Sequence, residues 1–198
     1  MNRDFDFLLD ALKSLPGIGN KQAKNIAYFL INKDEKFISD LVERIKNIKN
    51  NLYFCEECNN ISIDKRCKIC NNPLRNDKKI CIVNTTEDLN KIEETKSFDG
   101  LYYVLNNEID AKKNTSLNSK IINKLVVMIN KYKFKEIIIA TNWTINGEAT
   151  AAFIKKMLNE ILPTASIYRL AIGLPINSAL DYADNTTLKS AIENKTKY

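Results

Sequence analysis

Four cysteines, Cys55, Cys58, Cys67 and Cys70, stand in the pattern C-x2-C-x8-C-x2-C. Each C-x-x-C is a tight turn that turns two sulfurs onto one ion, and two such knuckles complete a tetrahedron of thiolates. The spacing predicts one structural Zn²⁺ per chain. With every ligand position taken by sulfur there is no place for a reacting water, so the chemistry expected is that of folding rather than catalysis. The competing reading is a set of buried or redox-active thiols, against which the closeness of the two pairs argues. The fifth cysteine, Cys81, lies inside the apolar run Ile80-Cys81-Ile82-Val83 and reads as a core residue.

A second group is Leu15-Pro16-Gly17-Ile18-Gly19-Asn20-Lys21. Gly17 and Gly19 permit a sharp turn and bring backbone N–H groups toward a phosphate at a helix N-terminus, where Lys21 and Lys24 add positive charge. This is a helix-hairpin-helix signature, which holds DNA through its backbone without reading bases. The alternative is a helical hairpin whose glycines serve packing or protein contacts. A third group runs from Ile137-Ile138-Ile139-Ala140 through Thr141, Asn142, Trp143 and Thr144 to Gly147-Glu148-Ala149-Thr150. It predicts a strand, a polar loop and a helix, the place where an α/β sheet puts its site. Metal-dependent phosphoryl chemistry needs several carboxylates there and at the end of the strand 80–83. Asn84, Asn142 and Thr144 supply none, and Glu148 is the acid that remains. A plain strand-to-helix connection is the alternative.

The elements that must position these groups follow from periodicity. Apolar residues at helical spacing predict helices over 4–15, 20–31 and 35–49, with Asn20 as an N-cap and Phe37, Ile38, Leu41, Val42, Ile45 and Ile48 on one face of the third. After the cysteine module, β-prone runs at 80–83, 101–105, 137–140 and 166–170 alternate with helical patterns at 86–96, 117–132 and 147–161. Apolar strands without in–out alternation, separated by helices, predict a mostly parallel sheet covered on both faces.

Charge narrows the class of partner. The chain has 198 residues with 30 Lys and Arg against 24 Asp and Glu, a formal +6. Four thiolates around Zn²⁺ would bring this to about +4, a mild bias toward polyanions. The basic residues gather in three segments, 11–50, 65–79 and 111–135, the last with seven Lys and no acid. These suit a phosphate backbone or, alternatively, solvated helix faces. No apolar run approaches the ~20 residues of a membrane span, and the charged start Met1-Asn2-Arg3-Asp4 does not resemble a signal peptide. The expectation is a cytoplasmic protein whose thiols stay reduced.

Taken in order, these motifs resemble the RecR family of bacterial recombination mediators across nearly the whole chain. The resemblance rests on Leu15-Pro16-Gly17-Ile18-Gly19, the four-cysteine array, Ala140-Thr141-Asn142 and Gly147-Glu148-Ala149-Thr150. It also rests on Gly173-Leu174-Pro175 and on Tyr182-Ala183-Asp184 before Thr187-Leu188. It implies a helix-hairpin-helix region at 1–52, a zinc ribbon at 53–78, a Toprim-type α/β domain at 79–175 and a C-terminal assembly segment at 176–198. It implies DNA contacts at Gly17, Gly19, Lys21 and Lys24, and a Toprim loop of Asn142, Thr144, Gly147 and Glu148. By the same resemblance the protein is a non-enzymatic, nucleoid-associated clamp, a homodimer or homotetramer ring at gapped DNA. Its implied partners are a RecO-like and possibly a RecF-like protein, with which it helps load RecA. Toprim enzymes carry Glu and Asp where this chain has Asn84, Asn142 and Thr144, and RecR relatives usually carry Glu where it has Asn146; an Arg usual after the hairpin is Asn25. The other readings are a Toprim nuclease or topoisomerase-like enzyme using a divalent metal, and a zinc-containing scaffold for a RecO-like partner.

Overall fold

Two helices form where apolar side chains recur every three to four residues, α1 (Arg3–Lys13) and α2 (Asn20–Ile31). They pack through Leu9, Ala23 and Ala27, with Phe5, Leu8, Leu12 and Ile18 around them. The alanines let the two backbones approach closely. The N-cap of α2 is Gly19, in extended conformation, and not Asn20, which already lies within the helix. A third helix, α3 (Glu35–Asn51), is capped by the Asp34 carboxylate, which accepts from the Phe37 N–H at 2.8 Å. Its apolar stripe stays largely open: no residue of the helix is buried, and Phe37 alone meets an aromatic ring, Phe29 of α2, edge to face at 5.8 Å among the described residues. The computed structural model describes residues 3–113, 115–195 and 197; Met1, Asn2, Asn114, Thr196 and Tyr198 lie outside the described residues. The chain divides into two compact units, residues 1–52 and 53–198.

The second unit begins with the cysteine knuckles, built on a short antiparallel ladder of β1 (Tyr53–Phe54) and β2 (Ile61–Ser62) and a single turn of helix, α4 (Lys68–Asn71). A wholly parallel sheet follows, in the order β4 (Gly100–Val104), β3 (Asn76–Val83), β5 (Glu136–Ala140), β6 (Ser166–Arg169). Its crossovers are α5 (Thr86–Glu94), α6 (Ser119–Tyr132) and α7 (Ile145–Ile161). Residues 80–83 and all of β4 are buried, as expected of strands covered on both faces. One face packs Ile80, Ile82, Tyr103, Ile137 and Ile139 against Leu125, Ile129, Ile154 and Leu158. The other packs Cys81, Val83, Tyr102 and Val104 against Leu89. Burial pushes the Cys81 thiol up to about 12, so it stays a neutral core side chain. A Cβ at Gly100 would meet the Lys79 carbonyl at 2.7 Å, which accounts for the glycine at the start of β4. The chain ends in a short 3₁₀ turn (Leu180–Tyr182) and α8 (Asn185–Glu193). Asp184 caps α8 by accepting from the Thr186 and Thr187 N–H groups, each at 2.9 Å, and Tyr182 stands exposed to solvent.

Candidate metal centre and nucleic-acid interface

The two knuckles close by local hydrogen bonding. Asn59 takes a left-handed conformation (φ 62°), a backbone that Asn tolerates better than most residues. This turns the chain so that the Cys55 N–H meets the Asn60 carbonyl at 2.7 Å. In the second knuckle Cys67 is the N-cap of α4. The four Sγ atoms lie within 4.8 Å of one another, and Cys58 and Cys67 are 3.5 Å apart. Tetrahedral bonds of ~2.3 Å would separate ligand sulfurs by about 3.8 Å, so the cluster has the dimensions of a four-thiolate site. Backbone N–H groups point at two of these sulfurs, from Cys67 to Cys55 at 3.3 Å and from Cys70 to Cys67 at 3.5 Å. Hydrogen bonds among the sulfurs pull the Cys55 thiol far down and push Cys58 and Cys70 up. Four crowded thiols resist joint ionisation unless a cation balances them, and a divalent metal would do so.

The knuckles are sewn to the sheet. Val104 N–H donates to the Cys58 carbonyl at 2.9 Å, and the Asn59 amide returns a bond to the Val104 carbonyl at 2.9 Å. Asn106 donates to the Asn59 carbonyl, and Thr86 donates to the Asn60 side chain at 2.9 Å. The edge strand β4 is therefore held at its carboxyl end by the cysteine module. On the other side Glu57 receives Arg66, Lys131 and Tyr132 together. Burial works to raise its pKa, but those partners outweigh it and hold the carboxyl below the usual range.

At the carboxyl end of the sheet, the loop after β5 lies where the strand pattern puts it. Thr144 caps α7, its hydroxyl accepting from the Gly147 N–H at 3.1 Å. A Cβ at Gly147 would sit 2.1 Å from the Asn142 carbonyl, so this glycine lets loop and helix meet. Asn146 accepts from the Ala111 N–H at 3.0 Å and so ties the loop after β4 to α7. The acid that joins Asn84 and Asn142 is Glu108, which sequence reasoning missed. Both amides donate to its Oε1, from Asn142 at 3.0 Å. The same rule that singled out the loops after β3 and β5, applied after the strand 101–105, would have found it. Glu148 pairs instead with Arg169, which also donates to the Ile139 carbonyl at 3.0 Å and the Thr141 hydroxyl at 2.6 Å. The same guanidinium stacks over Trp143, 4.3 Å from the ring centroid. Glu108 and Glu148 thus each have protein partners, one amide-bound and one ion-paired.

In the first unit Gly17 has φ +79°, a conformation in which a side chain is strained, and it turns the chain between α1 and α2. Gly19 gives no side-chain cap, leaving the first amides of α2 open. Lys21 and Lys24 follow on the first turns of that helix, both exposed. Open amides, the positive end of a helix dipole and two ammonium groups make a surface suited to a phosphate.

These parts define a class: a parallel α/β domain of Toprim type, bearing a four-cysteine knuckle able to hold a metal ion and preceded by a helical hairpin. The sequence matches the RecR helix-hairpin-helix family over residues 5–49, the Toprim domain over 78–171 and the RecR C-terminal family over 173–196. It is 46% identical to "Recombination protein RecR" of Ureaplasma urealyticum serovar 10, over 98% of this chain and 96% of that protein. It is 34% identical to the protein of the same name from Koribacter versatilis, over 95% of this chain and 94% of the relative. The chain belongs to the RecR family of recombination proteins. No helix among the described residues is long and apolar enough to cross a membrane.

Proposed function

We propose that the chain is a non-enzymatic DNA clamp and recombination mediator in DNA repair, which helps a RecO-like protein, and a RecF-like one where it occurs, load RecA at single-stranded gaps. The observation that carries this is the uncapped N-terminus of α2 with Lys21 and Lys24 on its first turns, behind the Gly17 turn, in a chain of the RecR family. Gly17, Gly19, Lys21 and Lys24 contact phosphate in this proposal, and one Zn²⁺ sits between Cys55, Cys58, Cys67 and Cys70. The division into 1–52, 53–78, 79–175 and 176–198, the dimer or tetramer ring and a cytoplasmic, nucleoid-associated location are parts of the same proposal. The non-enzymatic reading is supported by the sheet's carboxyl end. Asn84, Asn142 and Thr144 offer no carboxylate, Glu108 is bound by two amides, and Glu148 is engaged by Arg169. Divalent-metal phosphoryl chemistry needs free carboxylates on one ion, and these residues do not offer them.

Binding to gapped duplex DNA, followed by fluorescence anisotropy over a range of salt concentrations, tests the proposal. Lys21→Ala with Lys24→Ala should weaken binding equally for unrelated sequences. The slope of log affinity against log salt should become shallower by about 0.9 for each phosphate that the variant no longer neutralises. Binding that is unchanged in the double variant would move the DNA site elsewhere and favour the scaffold reading, to which Asn25 in place of the usual Arg lends some support. Absence of any affinity at low salt would end the clamp proposal.

A further inference from the structure

Two of the three basic segments meet in one concavity of the second unit. The cysteine knuckle forms one wall with Glu56, Glu57 and Arg66. Helix α6 forms the other with Lys120, Lys124, Val127, Met128 and Lys131, and the cleft has a volume of about 640 Å³. Its charges differ in their availability. Arg66 and Lys131 are both drawn to Glu57, which compensates one of them. Lys120 and Lys124 are one helical turn apart and have no ion-pair partner among the described residues. Glu56, on the knuckle, is the opposing acid. Four cations against two acids leave the cleft at a net +2. Between them stands Val127, 67% exposed on a helix whose neighbouring apolar residues Leu125, Met128 and Ile129 are buried.

We propose that this cleft is a docking site for an acidic peptide segment of a partner protein, one that carries an apolar side chain beside its carboxylates. The site is built wholly from residues of the second unit and does not rest on the DNA-binding reading of the hairpin. Carboxylates one helical turn or two strand residues apart would meet Lys120 and Lys124, while the apolar side chain covers Val127 and Met128 and is thereby removed from water. A nucleic-acid backbone fits less well. It brings no apolar group to cover Val127, whose exposed side chain is what distinguishes this cleft from a purely cationic groove.

The test uses the full-length, metal-loaded protein and a fluorescein-labelled peptide, Glu-Asp-Leu-Phe-Asp-Glu. Controls are the same peptide with Ser in place of Leu-Phe, and a single-stranded oligonucleotide as competitor. The acidic apolar peptide should bind, and Lys120→Ala with Lys124→Ala should raise its Kd by about tenfold, since each exposed ion pair contributes up to ~1 kcal/mol. Val127→Asp should raise it at least as much; the side chain is exposed, so the fold is expected to persist, checked by circular dichroism and bound metal. Gapped-DNA binding should stay unchanged in Val127→Asp. The proposal is overturned if the peptide fails to bind at millimolar concentration, if the variants bind it as wild type does, or if the Ser peptide binds equally well. It is also overturned if the oligonucleotide displaces the peptide and itself loses affinity in Val127→Asp, which would assign the cleft to nucleic acid.

Discussion

Arg169 organises the polar end of the sheet more than any other side chain there. Its planar fork reaches the Glu148 carboxylate, the Ile139 carbonyl and the Thr141 hydroxyl, and its face lies on Trp143. An ammonium group cannot make this set, because it lacks both the fork and the flat face. Arg169→Ala should therefore cost about 2 kcal/mol in urea denaturation, from the loss of charge-assisted bonds and of buried donors for Thr141 and Ile139. Arg169→Lys should recover less than half of this, and equal stability of the Lys variant and wild type would contradict the fork argument. Part of this arrangement is readable from residue types. Asn84, Asn142 and Thr144 tell of missing carboxylates without any geometry. Glu108 lies within Asn106-Asn107-Glu108, where no motif marks it; the strand-end rule applied to 101–105 makes it a candidate, and the parallel register brings it beside Asn142. Trp143 is open, by type alone, to base stacking or subunit packing; its position under a guanidinium depends on a residue 26 positions later in the chain, which spacing does not reveal.

At the scale of elements, the cysteine knuckles are legible as a unit but their attachment is not. C-x-x-C turns are local, so four ligands and their closure can be read from spacing. Beside the backbone bond from Val104 to Cys58, the bonds that bind them to β4 and α5 are made by Asn59, Asn60, Asn106 and Thr86, polar side chains in an Asn-rich chain where no single Asn is conspicuous. These bonds make the cysteine module part of the sheet's edge and couple its integrity to that of the strand. Cys58→Ser should therefore release the metal, measured with a chromogenic chelator. It should also destabilise the whole second unit, lowering its unfolding free energy by several kcal/mol, as loss of a structural zinc site does. Full metal content together with wild-type stability would show that the cluster is not a metal centre. The helices of the hairpin are equally legible, since their apolar period is that of a helix and Gly17 marks the turn. The cap is not. Asn20 is a better N-cap by type, yet the extended Gly19 takes that place and leaves the amides of α2 without a side-chain acceptor.

For the molecule as a whole, the question is what covers α3. Its sequence repeats apolar residues as a core-facing helix does, but Phe37, Leu41, Val42, Ile45 and Ile48 are 37–61% exposed. Contiguous exposed apolar side chains of this kind on one helix mark an interaction surface. The ring proposed above would put a second copy of the chain there, with a two-fold axis laying the same stripe against itself. Each half-exposed side chain newly covered would contribute about 1 kcal/mol, so two charges in the stripe should be enough to separate the copies. Ile45→Asp with Ile48→Asp is predicted to lower the native mass from a dimer or larger assembly to a single chain or a smaller ring. Helix content and metal should be retained, because neither residue is buried in the chain itself. Native mass spectrometry with and without gapped DNA reads both quantities together. If the double variant keeps the wild-type mass, assembly through α3 is wrong. If wild type is itself a monomer at micromolar concentration with DNA present, the ring proposal fails with it.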